Sequence, residues 1–110
     1  MDFPKTIRIL GQKWNIVETE VINDSLDTLG LCDEETSTIY LKTAMSDETR
    51  WQTFLHEYYH AVMAVIPLGG IKDKHHELLV QYFAGATMDL VRNNKELILA
   101  LADEPDDDDE

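Results

Sequence analysis

Over the first 42 residues, apolar and polar positions alternate in short runs. Ile7 and Ile9 alternate with Thr6 and Arg8, Gly11-Gln12-Lys13 supplies a turn, and Trp14-Asn15-Ile16-Val17 follows. A period of two bounded by turn residues predicts a strand pair. A second hairpin is expected where Leu29 to Cys32 and Thr38-Ile39-Tyr40-Leu41-Lys42 flank the polar run Asp33-Glu34-Glu35-Thr36. Its β-branched and aromatic content favours strand over helix. Between the hairpins, Asn23 to Thr28 is turn-rich or a short helical turn.

The period changes at Thr43. Ser46 is placed to cap a helix, with Asp47 and Glu48 in a first turn where the helix dipole favours acids. Trp51, Leu55, Tyr58, Val62 and Val65 then recur at spacings of four and three, and Phe54, Ala61 and Ala64 add a second apolar side. A helix apolar over most of its girth belongs in the middle of a domain. It is expected to run to about Ile66, because Pro67 and Gly69-Gly70 stop it.

A second helix is expected from near Asp73, carrying Leu78, Leu79, Tyr82, Phe83, Ala86, Leu90 and Val91. Its small-residue run Ala84-Gly85-Ala86 signals close approach to another element. Asn93-Asn94 breaks it, and Lys95 to Ala102 forms a last short helix. The expected class is α+β: a small antiparallel sheet of three or four strands packed on one central helix and a second, C-terminal helix. Residues 1–102 make one domain, and residues 103–110 are expected to be an acidic, disordered tail.

Composition narrows the class. The chain has 110 residues, of which 44% are apolar, enough for one core and too few for two. Its longest uncharged apolar stretch, Ala61 to Leu68, falls well short of the roughly 20 residues of a membrane span. Met1-Asp2-Phe3-Pro4-Lys5 has neither the basic nor the apolar region of a secretory signal. Cys32 is the single cysteine, so neither an internal disulfide nor a cysteine-rich zinc site can form. A cytoplasmic protein is expected, with no membrane partner. The net charge of −13 comes from 22 acids against 9 bases, and seven of the acids lie in Asp103 to Glu110. Phosphate backbones are repelled by such a chain, so nucleic acid is not an expected partner.

The central helix carries His56-Glu57-Tyr58-Tyr59-His60, an H-E-x-x-H pattern. Positions four apart on a helix lie about 40° apart around its axis, so both imidazoles can converge on one zinc ion. Glu57 projects at a neighbouring angle, where a general base for a metal-activated water belongs. Zinc in an open site takes a third protein ligand. His75, His76 and Glu77 open the second helix, and spacing alone does not choose between Glu77 and His76.

Three stretches carry a family resemblance. They are Gly30-Leu31-Cys32-Asp33 with Thr38-Ile39-Tyr40-Leu41, then Thr53-Phe54-Leu55-His56-Glu57-Tyr58-Tyr59-His60-Ala61, then Glu77-x-x-Val80-Gln81-x-Phe83-Ala84. Together they span residues 30 to 86, and in them the chain resembles the small zincin-type metallopeptidases of the ImmA/IrrE class, particularly the compact versions of phages and prophages. The resemblance implies a zinc-dependent peptidase with Glu77 as third ligand, since that family opens this helix with a Glu followed by a Phe-Ala pair. Val80-Gln81 departs from the family's small residue and Asn or Asp, and Gly85-Ala86-Thr87-Met88 departs from its Leu-Leu-x-Pro segment.

The implied substrate is a peptide or protein, bound as an added strand along a sheet edge. Ile39, Tyr40 and Leu41 are the candidate edge, and Tyr59 is the candidate hydrogen-bond donor to the oxyanion, with His76 a further auxiliary. A second functional class remains open, a metal-bearing interaction module or regulator that binds without cleaving. Its acidic tail would suit a basic partner.

Overall fold

Leu10 and Gly11 both take left-handed backbone angles, with φ of 51° and 86°. Two consecutive positive φ values make the mirror-image turn whose twist matches that of paired strands, so the chain reverses there in two residues. The turn therefore falls on Leu10-Gly11 rather than on Gly11-Gln12-Lys13. Gln12 already pairs with Ile9 in the register of β1 (Thr6–Ile9) and β2 (Gln12–Thr19). The computed structural model describes residues 3–22, 28–65 and 73–103. Three expectations lie outside them: the turn-rich stretch at 23–27, the helix stop at Pro67 and Gly69-Gly70, and the tail from residue 104.

The second hairpin forms as expected between β3 (Gly30–Asp33) and β4 (Thr38–Lys42), with Gly30 opposite Leu41 and Asp33 opposite Thr38. Asp33 shapes the turn by accepting a 3.1 Å hydrogen bond on Oδ1 from the Glu35 N–H. The hairpins join in a way that corrects the all-antiparallel expectation. Strand order is β1-β2-β4-β3, and β2 runs parallel to β4, with Ile16 beside Ile39 and Glu18 beside Leu41. The sheet is mixed. β4 takes the interior place because Ile39 and Leu41 are wholly buried, whereas the less apolar β3 is only partly covered and sits at the edge.

Ile9, Trp14, Ile16, Ile39 and Leu41 form the inward face of the sheet and are at most 5% exposed. Helix α1 (Asp47–Val65) lies on that face, contributing Phe54 and Ala61 to the core. Phe3 closes one end, its ring 4.6 Å from Trp51 and 5.3 Å from Phe54. Ser46 caps α1 as expected: its Oγ accepts the Thr49 N–H at 3.2 Å. Arg50 ties the start of the helix to the sheet, bonding Glu18 on β2 and the carbonyl oxygen of Thr43.

Helix α2 (Asp73–Asn93) runs back along the other side of α1, burying Val80 and Ala84. Asn94 stands outside any helix, and α3 (Lys95–Ala102) follows. The layers are thus sheet, α1, α2, in an α+β domain. No helix among the described residues is long and apolar enough to cross a membrane.

Candidate metal centre

One turn of α1 separates His56 from His60, and their Nε2 atoms lie 3.3 Å apart. Antiparallel packing brings the first turns of α2 opposite this point. The Glu77 carboxylate reaches across with Oε2 2.8 Å from His56 Nε2 and Oε1 3.1 Å from His60 Nε2. One donor atom from each of the three residues lies within 4.8 Å of the others, the single such cluster among the described residues. Two ligand atoms held about 2.0–2.1 Å from one tetrahedral ion stand roughly 3.3 Å from each other. The histidine nitrogens have that separation, and two imidazoles with a carboxylate form a donor set suited to zinc. The residues therefore fit such an ion.

Charge state agrees with this chemistry. Burial pushes the His60 imidazole below its ordinary range, as do His56 and His76, while Glu77 pulls it upward. The net lowering favours the neutral ring, whose lone pair a metal requires. The His60 contact to Glu77 is accordingly better described as two convergent ligand atoms than as an ion pair.

Glu57 stands one residue along the helix and is half-buried. Burial chiefly, and then the nearby Glu77 carboxylate, raise its pKa to about 7. It lines an open cleft of about 330 Å³ with His56, His60, Glu77, Gly30, Leu31, Cys32 and Glu34. Solvent reaches the cluster: the side chains of His56 and His60 are about a quarter exposed and that of Glu77 about half.

Of the residues expected from sequence, His56, Glu57, His60 and Glu77 come together. His76 does not join the cluster; its ring lies beside that of His60, centroids 5.5 Å apart, with Nε2 buried and unpartnered. Tyr59 is turned away from the oxyanion role. Its hydroxyl pairs with Thr87 Oγ1 at 2.6 Å and its ring meets Phe83, both on α2. The α1–α2 contact claims it.

The expected substrate edge is also corrected. Ile39, Tyr40 and Leu41 belong to an interior strand paired on both sides, so no peptide can add there. The edge is β3, which lines the cleft through Gly30, Leu31 and Cys32.

Sequence reasoning did not assign a role to Gly30 or to Glu34. A signal for Gly30 existed, since a glycine opening a strand often marks close backbone approach. Burial, followed by Glu57, Glu34 and Asp33, pushes the Cys32 thiol up to about 12, which disfavours the thiolate a nucleophile needs. Compared with known proteins, the chain matches no family model, no curated protein and no solved structure.

Proposed function

We propose that the protein is a zinc-dependent metallopeptidase of the cytoplasm that hydrolyses a peptide bond in a protein substrate. The observation that carries this reading is the convergence of His56, His60 and Glu77 beside Glu57 in one solvent-open cleft. Zinc bound there would supply a Lewis acid that polarises a carbonyl and acidifies water.

The chain's own groups supply the rest. The Glu57 carboxylate accepts the proton of the attacking water and returns it to the nitrogen of the leaving amine. A proton affinity near neutrality suits a group that must both take and give. The β3 edge offers backbone N–H and C=O groups to an extended peptide, and Gly30 keeps the strand close to Glu57.

The test replaces Glu57 by Gln and measures bound zinc by elemental analysis and cleavage of an unstructured peptide library. The expected result is one zinc per chain in both proteins, with cleavage reduced about 10²–10⁴-fold in the variant. Wild-type cleavage by Glu57→Gln would remove that residue from the mechanism. Zinc retained after His56→Ala and His60→Ala would move the metal elsewhere. Stoichiometric zinc with no cleavage by the wild type would leave a metal-bearing interaction module.

A further inference from the structure

The cleft at the histidines continues beyond them. Gly30, His56 and Glu57 line it, and the same three residues line a second hollow of about 350 Å³ that reaches Leu29, Thr49, Gln52 and Thr53. The two hollows form one groove between the edge strand β3 and helix α1. Its strand wall runs from Leu29 to Glu34 and its helix wall from Thr49 to His60. Five strand steps and eleven helix steps both come to about 16–17 Å, the length of about five extended residues.

The two ends differ in charge. Beyond the shared residues, Leu29, Thr49, Gln52 and Thr53 bring no ionisable group to the first end. The carboxylates of Glu34, Glu57 and Glu77 line the other, and no lysine or arginine does. Glu77 belongs with the histidines and Glu57 with the attacking water. Glu34 has no such duty. Asp33 turns to the far face of the sheet beside Tyr40, and Glu34, one residue on, returns to the cleft side with Cys32. Its side chain is exposed, and no ion pair compensates it among the described residues.

We propose that the groove selects an extended peptide carrying a lysine or arginine, and that Glu34 is the residue that reads this side chain. The inference rests on the peptidase reading, because it names the substrate class of the same cleft. Backbone pairing along a strand edge accepts any sequence, so choice among peptides must come from the walls. Position follows from the strand. Gly30 faces Glu57, where the scissile bond must lie, and Glu34 stands four residues further along. The basic residue therefore belongs about two to four positions from that bond, on one side only. An acidic residue there would meet Glu34 and be repelled. The net charge of −13 draws basic peptides in from a distance but fixes no position.

The test is cleavage of a random octapeptide library by the zinc-loaded full chain, with the products sequenced by mass spectrometry. Lysine and arginine are expected to be enriched about three- to tenfold at one position on one side of the cut, less so at high salt. Glu34→Gln should flatten that enrichment, and Glu34→Lys should turn it towards aspartate and glutamate. Glu96→Gln makes the same charge change at an exposed position of α3 and should keep the wild-type pattern.

Binding supplies a readout that needs no turnover. Zinc-loaded Glu57→Gln is titrated with a labelled alanine–glycine octapeptide carrying one arginine, and with its glutamine counterpart. The arginine peptide should bind about three- to tenfold more tightly, and adding Glu34→Gln should remove the difference. Cleavage without positional preference, or with the same preference in Glu34→Gln, overturns the inference and leaves the peptidase reading standing. No cleavage by the wild type, together with an arginine preference in binding that Glu34→Gln removes, overturns the peptidase reading and supports recognition by Glu34. Equal binding of the two peptides overturns that recognition.

Discussion

A Cβ built on Gly30 would stand 2.6 Å from Thr53 Cγ2, 3.0 Å from Glu57 Cγ and 3.1 Å from Glu57 Oε2. The first distance is closer than carbon atoms pack, so an alanine there must push β3 off α1 or displace Thr53. Overpacking of this kind costs about 1–3 kcal/mol, whereas stiffening the unfolded chain returns about 0.4–1 kcal/mol. The strain wins. Gly30→Ala is expected to lower stability by about 1–2 kcal/mol in urea unfolding, and Thr53→Ser, which deletes Cγ2, to recover part of it. Equal stability of Gly30→Ala and wild type would mean the strand moves freely. The same contact shows what a sequence can disclose at this scale. The spacing of His56 and His60 on a helix fixed their convergence, because one turn of helix is local geometry. The crowding at Gly30 depends on how near a strand passes to a helix: a glycine at the start of a strand hints at close approach, but which element comes close is set by the tertiary packing. Tyr59 fails for the same reason: its angle beside His56 was legible, but not that Thr87 on α2 would hold its hydroxyl.

Elements were easier to read than their arrangement. Both hairpins, the cap on α1 and the break at Asn94 follow from turn chemistry and period, which act over a few residues. Ser46 is the plainest case, since its Oγ accepts the Thr49 N–H at 3.2 Å. Ser46→Ala is expected to destabilise the fold by about 1 kcal/mol, and Ser46→Asp to retain most of that stability; thermal unfolding of the three proteins checks it. No change on Ser46→Ala would mean water satisfies the helix end as well as the hydroxyl does. The parallel seam between β2 and β4 was not legible, because each hairpin is complete by itself and local period does not say which strands of two hairpins meet. A weaker signal did exist. Thr38 to Lys42 is more apolar than Gly30 to Asp33, and the more apolar strand goes inside. Applied to the site, that comparison moves the proposed peptide-binding edge from Ile39, Tyr40 and Leu41 to β3.

At the scale of the whole molecule the layers are unequally held. The sheet and α1 share the core of Trp14, Ile16, Ile39, Leu41 and Phe54, whereas among the described side chains of α2 only Val80 and Ala84 are buried. The described chain measures 52 × 37 × 25 Å with a radius of gyration of 15.3 Å, above the roughly 13 Å of a compact domain of about 100 residues. Such an outer layer opens locally at lower free energy than the core. Glu77 is its link to the histidines of α1, so a metal gripped by both helices should act as a clamp on α2 alone. A ligand that binds the closed form at 100 times its Kd adds about 2.7 kcal/mol, and that increment belongs to whichever openings release it. Hydrogen exchange is therefore expected to slow in α2 on adding zinc, with little change in β1 to β4. Glu77→Ala should abolish the effect. Protection spread evenly over sheet and helices would place the ion away from the α1–α2 seam. Protection of α2 that persists without Glu77 would show that the carboxylate is not a ligand, and the third position would then fall to the neighbouring His76, whose Nε2 is buried without a partner.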